Sequence, residues 1–329
     1  MARASAGFTN LEAPEEVSTS SAIPFEQLKF DEVELGDLGN SLPVGVFTPD
    51  GDRLQEFTLL PYSGNHEIAL GKLIEANTGR EGTMKEPMKV LREFLPHVIE
   101  TIGGIPLKEV AQKFSTSPAR FFEGMYLGDV TTLLLQVRLQ AQGYEIAMAA
   151  ECPKCGTVAK DDPDKGRPYS DLSSLKIKTI PFLPQKPVFE VTLPESFLVY
   201  GEPVTKLWLE PLKLNQLDKL LKSMSGKPKD LDQLQEMVVG LPESEAFRNN
   251  KGRFFDESLY SALCMGADGR VSPNKNALYR AIGKIVPGPK MEVPMDCINP
   301  QCRNHWEQSL PWISFREFLY FTASATDDD

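Results

Sequence analysis

The sequence predicts an α+β fold made of two tandem, pseudo-duplicated units joined by a structural zinc site. Three observations lead there. Short alternating apolar segments, read as strands, are interleaved with runs of helical period in both halves of the chain. Marks recur between the halves at nearly fixed spacing. Gly51, Leu59, Pro61, Asn65 and Leu70 find Gly201, Leu209, Pro211, Asn215 and Leu220 after 150 residues, and Leu133, Gly143, Ile146, Met148 and Cys152 find Leu278, Gly288, Met291, Val293 and Cys297 after 145. Finally, each half ends in a cysteine pair, Cys152/Cys155 and Cys297/Cys302. The domain reading is an extended acidic arm over 1–40, a first unit over 41–180 and a proline-rich linker over 181–187. A second unit over 188–322 and an acidic tail over 323–329 complete it.

Taken in order, Leu42–Phe47 reads as a strand and Asp50-Gly51 as its turn. Phe57, Leu59 and Pro61 alternate as a half-buried strand does. Asn65 is placed to cap a helix over 66–78, with Gly79 beyond it. Met88, Leu91, Phe94, Leu95 and Val98 recur at helical spacing, and Pro96 is expected to kink or end that helix. Leu107–Phe114 is a short helix, and Ser117-Pro118 begins another. Gly128-Asp129 is read as the cap of a strong helix to Gln142, stopped by Gly143, and the strand through Ile146 and Met148 delivers Cys152.

The second half repeats the plan. Phe189–Pro194 and then Thr205, Leu207 and Leu209 make a hairpin around Tyr200-Gly201. Asn215 is expected to cap a helix, others follow near 231–239 and 255–265, and Ser272-Pro273 starts the last to Ile285. Met291, Val293 and Met295 alternate into Cys297, and Trp312, Phe315, Phe318 and Leu319 close the fold.

The 329 residues carry 46 acidic and 35 basic side chains, a net charge of −11, which disfavours nonspecific binding to nucleic acid or anionic membrane. No apolar run reaches membrane-spanning length, and the first residues lack the apolar core of a signal peptide, so a cytoplasmic location is expected. Five cysteines are too few for a disulfide scaffold, and close pairs in a reducing compartment read as metal ligands.

Cys152-Pro-Lys-Cys155-Gly156 is a tight knuckle in which both thiolates reach one ion and glycine eases the turn. Cys297 and Cys302, with four residues between them, occupy the matching place. Together the four make a closed all-thiolate shell with no open position, which suits structural zinc. His305 is a substitute ligand for Cys302. A thioredoxin-type redox pair, a vestigial site, and independent loss of partners stand beside this reading. Cys264, in an apolar helical context, reads as an ordinary buried thiol.

No nucleotide-binding loop, nucleophile elbow or metalloprotease helix occurs, and the three histidines lie in unrelated contexts. Asp161, Asp162 and Asp164 read as a solvated charge run. No catalytic constellation and no small-molecule substrate are expected.

The run Gly128–Arg138, then Gly143, then Glu151–Cys155, then Asp171–Ile177, resembles the T4-like bacteriophage baseplate protein family, which includes the baseplate hub assembly protein of contractile tails. The ending with Trp312, Phe315 and Phe318 is similar too. The resemblance is clearest over 120–180, and the four-residue gap between Cys297 and Cys302 departs from the tighter spacing. It implies a non-enzymatic structural or assembly component of a phage tail baseplate or a related injection apparatus. Its partners would be other tail or baseplate proteins. It would be found in the host bacterial cytoplasm during assembly, or in the virion. The rival reading is a zinc-ribbon adaptor or regulatory protein that binds a transcription component or nucleic acid. That rival requires a basic stripe beside the cysteines, whereas Lys154, Lys160 and Lys165 are offset by the nearby aspartates.

Overall fold

The computed structural model describes residues 22–79, 86–147, 151–158, 169–181, 183, 185–222, 229–248, 256–265 and 270–310. The chain is a mixed α+β protein with several small sheets, which divides into two compact units. Neither unit is a tandem half. The larger takes 29–187, 211–226 and 284–329, and the smaller takes 1–28, 188–210 and 227–283. The second cysteine pair therefore folds into the same unit as the first. Trp312, Phe315, Phe318, Leu319, Met148, the aspartates 161–164 and the tail lie outside the described residues.

In the larger unit, strands Ser41–Phe47, Arg53–Leu59, Ile99–Ile102 and Ile105–Pro106 form an antiparallel four-stranded sheet in that order. Gly51, at φ +93°, makes the first turn in a region that side chains with a Cβ rarely adopt. Helices Gly64–Asn77 and Pro87–Val98 connect the second strand to the third. The first of these is capped by Ser63 and not by Asn65, and His66 Nδ1 accepts the Ser63 N–H at 3.0 Å. The second runs through Pro96 to Val98, because a proline this near the end removes little of the helical ladder. It buries Met88, Leu91, Phe94, Leu95 and Val98 on the expected stripe, each worth about 1.5–3 kcal/mol on leaving water.

Helix Leu127–Gln142 is the spine of this unit, with Val130, Leu133, Leu134, Leu135 and Val137 all fully buried. Its expected cap is a different device. The N-cap is Tyr126, and Asp129 turns its carboxylate away from its own helix to the first strand. There it accepts the N–H of Val44 at 2.7 Å and of Gly45 at 3.0 Å, where the strand register slips between Ser41 and Val46. Burial pushes the Asp129 pKa up to about 7 against the opposing pull of these amides and of Arg53. Arg53 in turn donates to the carbonyls of Val44, Ile180 and Pro181. At the start of the helix Gly128 lies so close to Gly288 and Pro287 that an added Cβ would sit 2.2 Å from the Pro287 carbonyl oxygen.

The stretch expected as part of an extended arm is built into the body from Ile23 onward. Asp31–Glu34 pairs with Lys176–Thr179, which also pairs with Gly288–Pro289. Ile23–Pro24 belongs to the smaller unit, where it runs parallel to Phe189–Val199.

That smaller unit holds a second antiparallel series, Phe189–Val199, Glu202–Leu209 and Val238–Gly240. Gly201, at φ +89°, occupies its turn, and the long strand slips register between Thr192 and Phe197. Asn274, near the start of helix Pro273–Ile285, reaches Glu195 at this irregularity: its Oδ1 accepts the Glu195 N–H and its Nδ2 donates to the Glu195 carbonyl, both at 2.9 Å. Cys264 is buried, as its apolar context predicts. Helix Leu214–Lys222, in the larger unit, starts at Leu214, so Asn215 lies inside it and not at its cap.

Candidate metal centre

Each cysteine pair sits in the loop of a short antiparallel hairpin. Glu145–Ala147 pairs with Tyr169–Asp171 around Cys152 and Cys155, and Glu292–Asp296 pairs with His305–Ser309 around Cys297 and Cys302. The two loops are closed alike. Cys152 donates its N–H to the Thr157 carbonyl at 2.9 Å, and Cys297 donates to the Asn304 carbonyl at 2.8 Å. Thr157 and Asn304 each stand two residues after the second cysteine of their pair. The residue directly after that cysteine has positive φ in both, Gly156 at +69° and Arg303 at +50°. A non-glycine residue there costs roughly 1 kcal/mol, so the second loop is the more strained.

The longer spacing of the second pair is absorbed by a turn rooted at Asn299. Its carbonyl accepts the N–H groups of Cys302 at 3.0 Å and Arg303 at 3.3 Å, and its Oδ1 accepts that of Gln301 at 3.0 Å. The extra residues thus fold back on themselves, and Cys302 arrives where a tighter knuckle would put it.

The four sulfur atoms lie within 4.8 Å of one another. Cys152 Sγ is 3.9 Å from Cys302 Sγ, and Cys155 Sγ is 3.5 Å from Cys297 Sγ. A tetrahedron with metal–sulfur bonds of about 2.3 Å has edges of about 3.8 Å, so the cluster is compatible with one metal ion. Cys152 is buried, Cys297 and Cys302 are half-buried and Cys155 is exposed. Asn304 Nδ2 donates to Cys152 Sγ at 3.7 Å, and Thr157 Oγ1 lies 3.2 Å from Cys155 Sγ. These outer contacts are of the kind that orient metal-bound sulfur.

The thiols are not equivalent. Hydrogen bonds from the Thr157 side chain and backbone bring Cys155 down to about 6. Burial alone would raise Cys152, but the amides of Lys154 and Cys155 and the Cys297 thiol together leave it lowered. Burial pushes Cys297 up to about 12 and also raises Cys302. Cys155 therefore favours the thiolate at neutral pH, Cys152 is shifted in the same direction, and Cys297 and Cys302 need a cation at the centre to lose their protons.

His305 is not among the clustered ligands. It stands on the second hairpin strand opposite Asp296, with its Nδ1 against that carboxylate and most of its side chain in solvent. Residue type and spacing alone do not mark Thr157, Asn299 or Asn304. The signal for two of them emerges only when the pairs are compared, since Thr157 and Asn304 hold the same place after each pair. Lys160 and Lys165 lie outside the described residues.

Fold and site thus define a mixed α+β protein with a four-cysteine cluster compatible with a metal site. No family model matches this chain, and no curated protein or solved structure matches it significantly. Among the described residues, no helix is long and apolar enough to cross a membrane.

Proposed function

We propose that Cys152, Cys155, Cys297 and Cys302 hold one structural zinc ion. We further propose that the chain is a non-enzymatic structural or assembly component of a contractile phage tail baseplate or hub, or of a related injection apparatus. The observation that carries the reading is the meeting of two cysteine hairpins, drawn from points 145 residues apart, in one cluster of four sulfur atoms within 4.8 Å of one another. An all-thiolate shell leaves no position for substrate or water, so its work is to fix backbone geometry. The resemblance of the run Gly128–Arg138 to the baseplate family supports the tail assignment, and that run forms most of the buried helix Leu127–Gln142.

Internal duplication belongs to the same proposal. Both halves run hairpin, two helices, a strand returning to the hairpin, further helices and a cysteine hairpin. Asp129 and Asn274, 145 apart, each hold the irregular first strand of a hairpin, at Gly45 and at Glu195, which are 150 apart. These are the two offsets at which the sequence marks recur.

Metal analysis of the purified protein tests the zinc, with one ion per chain expected and none in Cys297→Ser. Co-expression with the tail proteins of a contractile phage tests the assembly role. Recovery in a baseplate or hub intermediate supports it, and absence from every intermediate overturns it. Salt-dependent capture of DNA or RNA would instead favour the zinc-ribbon adaptor reading.

A further inference from the structure

We propose that the larger unit carries a second site, a pocket for an aromatic ring that bears a carboxylate. A cavity of about 310 Å³ opens between the strand end at Gly45–Phe47, the segment from Phe114 to Tyr126, and Lys213. That volume falls at the lower end of small-ligand pockets, which span roughly 300–1,000 Å³. It has room for one ring and a short chain.

The floor is apolar. Phe121 and Met125 are buried, and the rings of Phe114 and Phe121 lie 5.4 Å apart at a tilt. Tyr126 forms a further wall, with Lys213 Nζ 5.6 Å from its ring centroid. Such a wall receives another ring by offset or edge-on stacking.

The rim is cationic. Arg120, Lys186 and Lys213 line the cavity, and no carboxylate does among the described residues. In a chain with 46 acidic and 35 basic residues, that lining runs against the overall charge. The placement is fixed by backbone. Leu127 donates to the Leu212 carbonyl at 2.7 Å and Leu214 to the Met125 carbonyl at 3.0 Å, which sets Lys213 beside Tyr126. An apolar floor under a positive rim selects a ligand with both an aromatic body and an anionic end. Arg120 offers the planar fork that pairs with a carboxylate, and the lysines add point charge.

The test uses the full chain with its methionine methyl groups labelled with carbon-13, because Met125 lies in the lining. Probes are 3-phenylpropionate, the dipeptide N-acetyl-Gly-Phe, its C-terminal amide, and inorganic phosphate. Saturable shifts of the Met125 methyl are expected with both acids, and affinity about tenfold weaker for the amide, the loss of one charge-assisted contact. Arg120→Gln and Lys213→Gln, both at solvent-accessible side chains, should each weaken the acids while leaving the spectrum otherwise native. Tighter binding of the dipeptide identifies a polypeptide C-terminus as the source, and tighter binding of phenylpropionate a small aromatic acid; both support the site. Equal binding of acid and amide overturns it. So does phosphate binding as tightly as the acids, or an unmoved Met125 methyl at millimolar acid. The readout is independent of zinc and of tail assembly.

Discussion

Asn274 forms two hydrogen bonds with the backbone of Glu195, accepting its N–H and donating to its carbonyl, both at 2.9 Å. Asp129 does a related job on Val44 and Gly45, but there both of its oxygens accept a backbone N–H. The two tethers stand 145 residues apart in the chain and differ in polarity. They should therefore not be interchangeable. Asn274→Asp sets a carboxylate against the Glu195 carbonyl, and Asp129→Asn sets an amide N–H against one backbone N–H. Each exchange is expected to cost about 1–3 kcal/mol, read as a lower urea midpoint. A neutral result at either position would remove the tether from the account of stability.

The raised pKa of Asp129 gives stability a pH dependence with a definite sign. In the unfolded chain this carboxyl titrates near 3.8, and in the folded protein at about 7. Between those values the folded state holds the extra proton. Its contribution is therefore fully present below the unfolded pKa and declines as pH rises to about 7. The slope approaches ~1.4 kcal/mol per pH unit in the middle of that window. Urea unfolding from pH 4.5 to 7.5 should show the decline in the native chain, and Asp129→Asn should flatten it.

Gly128 and Gly288 meet where no side chain fits. A Cβ on Gly128 would lie 2.2 Å from the Pro287 carbonyl oxygen, and one on Gly288 would lie 2.4 Å from the Gly128 Cα. The obstacle in each case is backbone and cannot rotate away. Gly128→Ala should cost about 1–3 kcal/mol or more by forcing the helix off its neighbour. Gly288→Ala should cost more, since φ there is +108°. Gly283→Ala, with open space around its Cβ position, is the matched control and should be mild.

Zinc uptake should release protons. Cys297, pushed up to about 12, and Cys302, also raised, are protonated at neutral pH and must ionise to bind. Calorimetry in buffers of different ionisation enthalpy should report at least two protons per ion at pH 7, and affinity should rise with pH across 6 to 8. Fewer than two released protons would contradict the all-thiolate shell.

Much of this could be read from the chain. The apolar stripe of Met88, Leu91, Phe94, Leu95 and Val98, the turn glycines Gly51 and Gly201, and the cysteine pairs declare themselves through spacing that local geometry imposes. The caps were harder. Asn65 and Asp129 have the right chemistry to cap a helix, but Ser63 takes the first role and a distant bulge claims the second. A short polar side chain satisfies whichever backbone donor the fold presents, and sequence distance does not rank the choices.

For the centre, the residue types and their spacing alone named the four cysteines that cluster and suggested zinc. Tertiary structure decided that both cysteine hairpins belong to one compact unit and not to two consecutive ones. It also decided that the loose second pair is tightened by a turn at Asn299, and that His305 turns to Asp296. The reason is physical. Spacing fixes which atoms can share an ion, because the reach of a short loop is limited. Which segments pack together depends on apolar surface buried between residues far apart in the chain, and no local pattern records that.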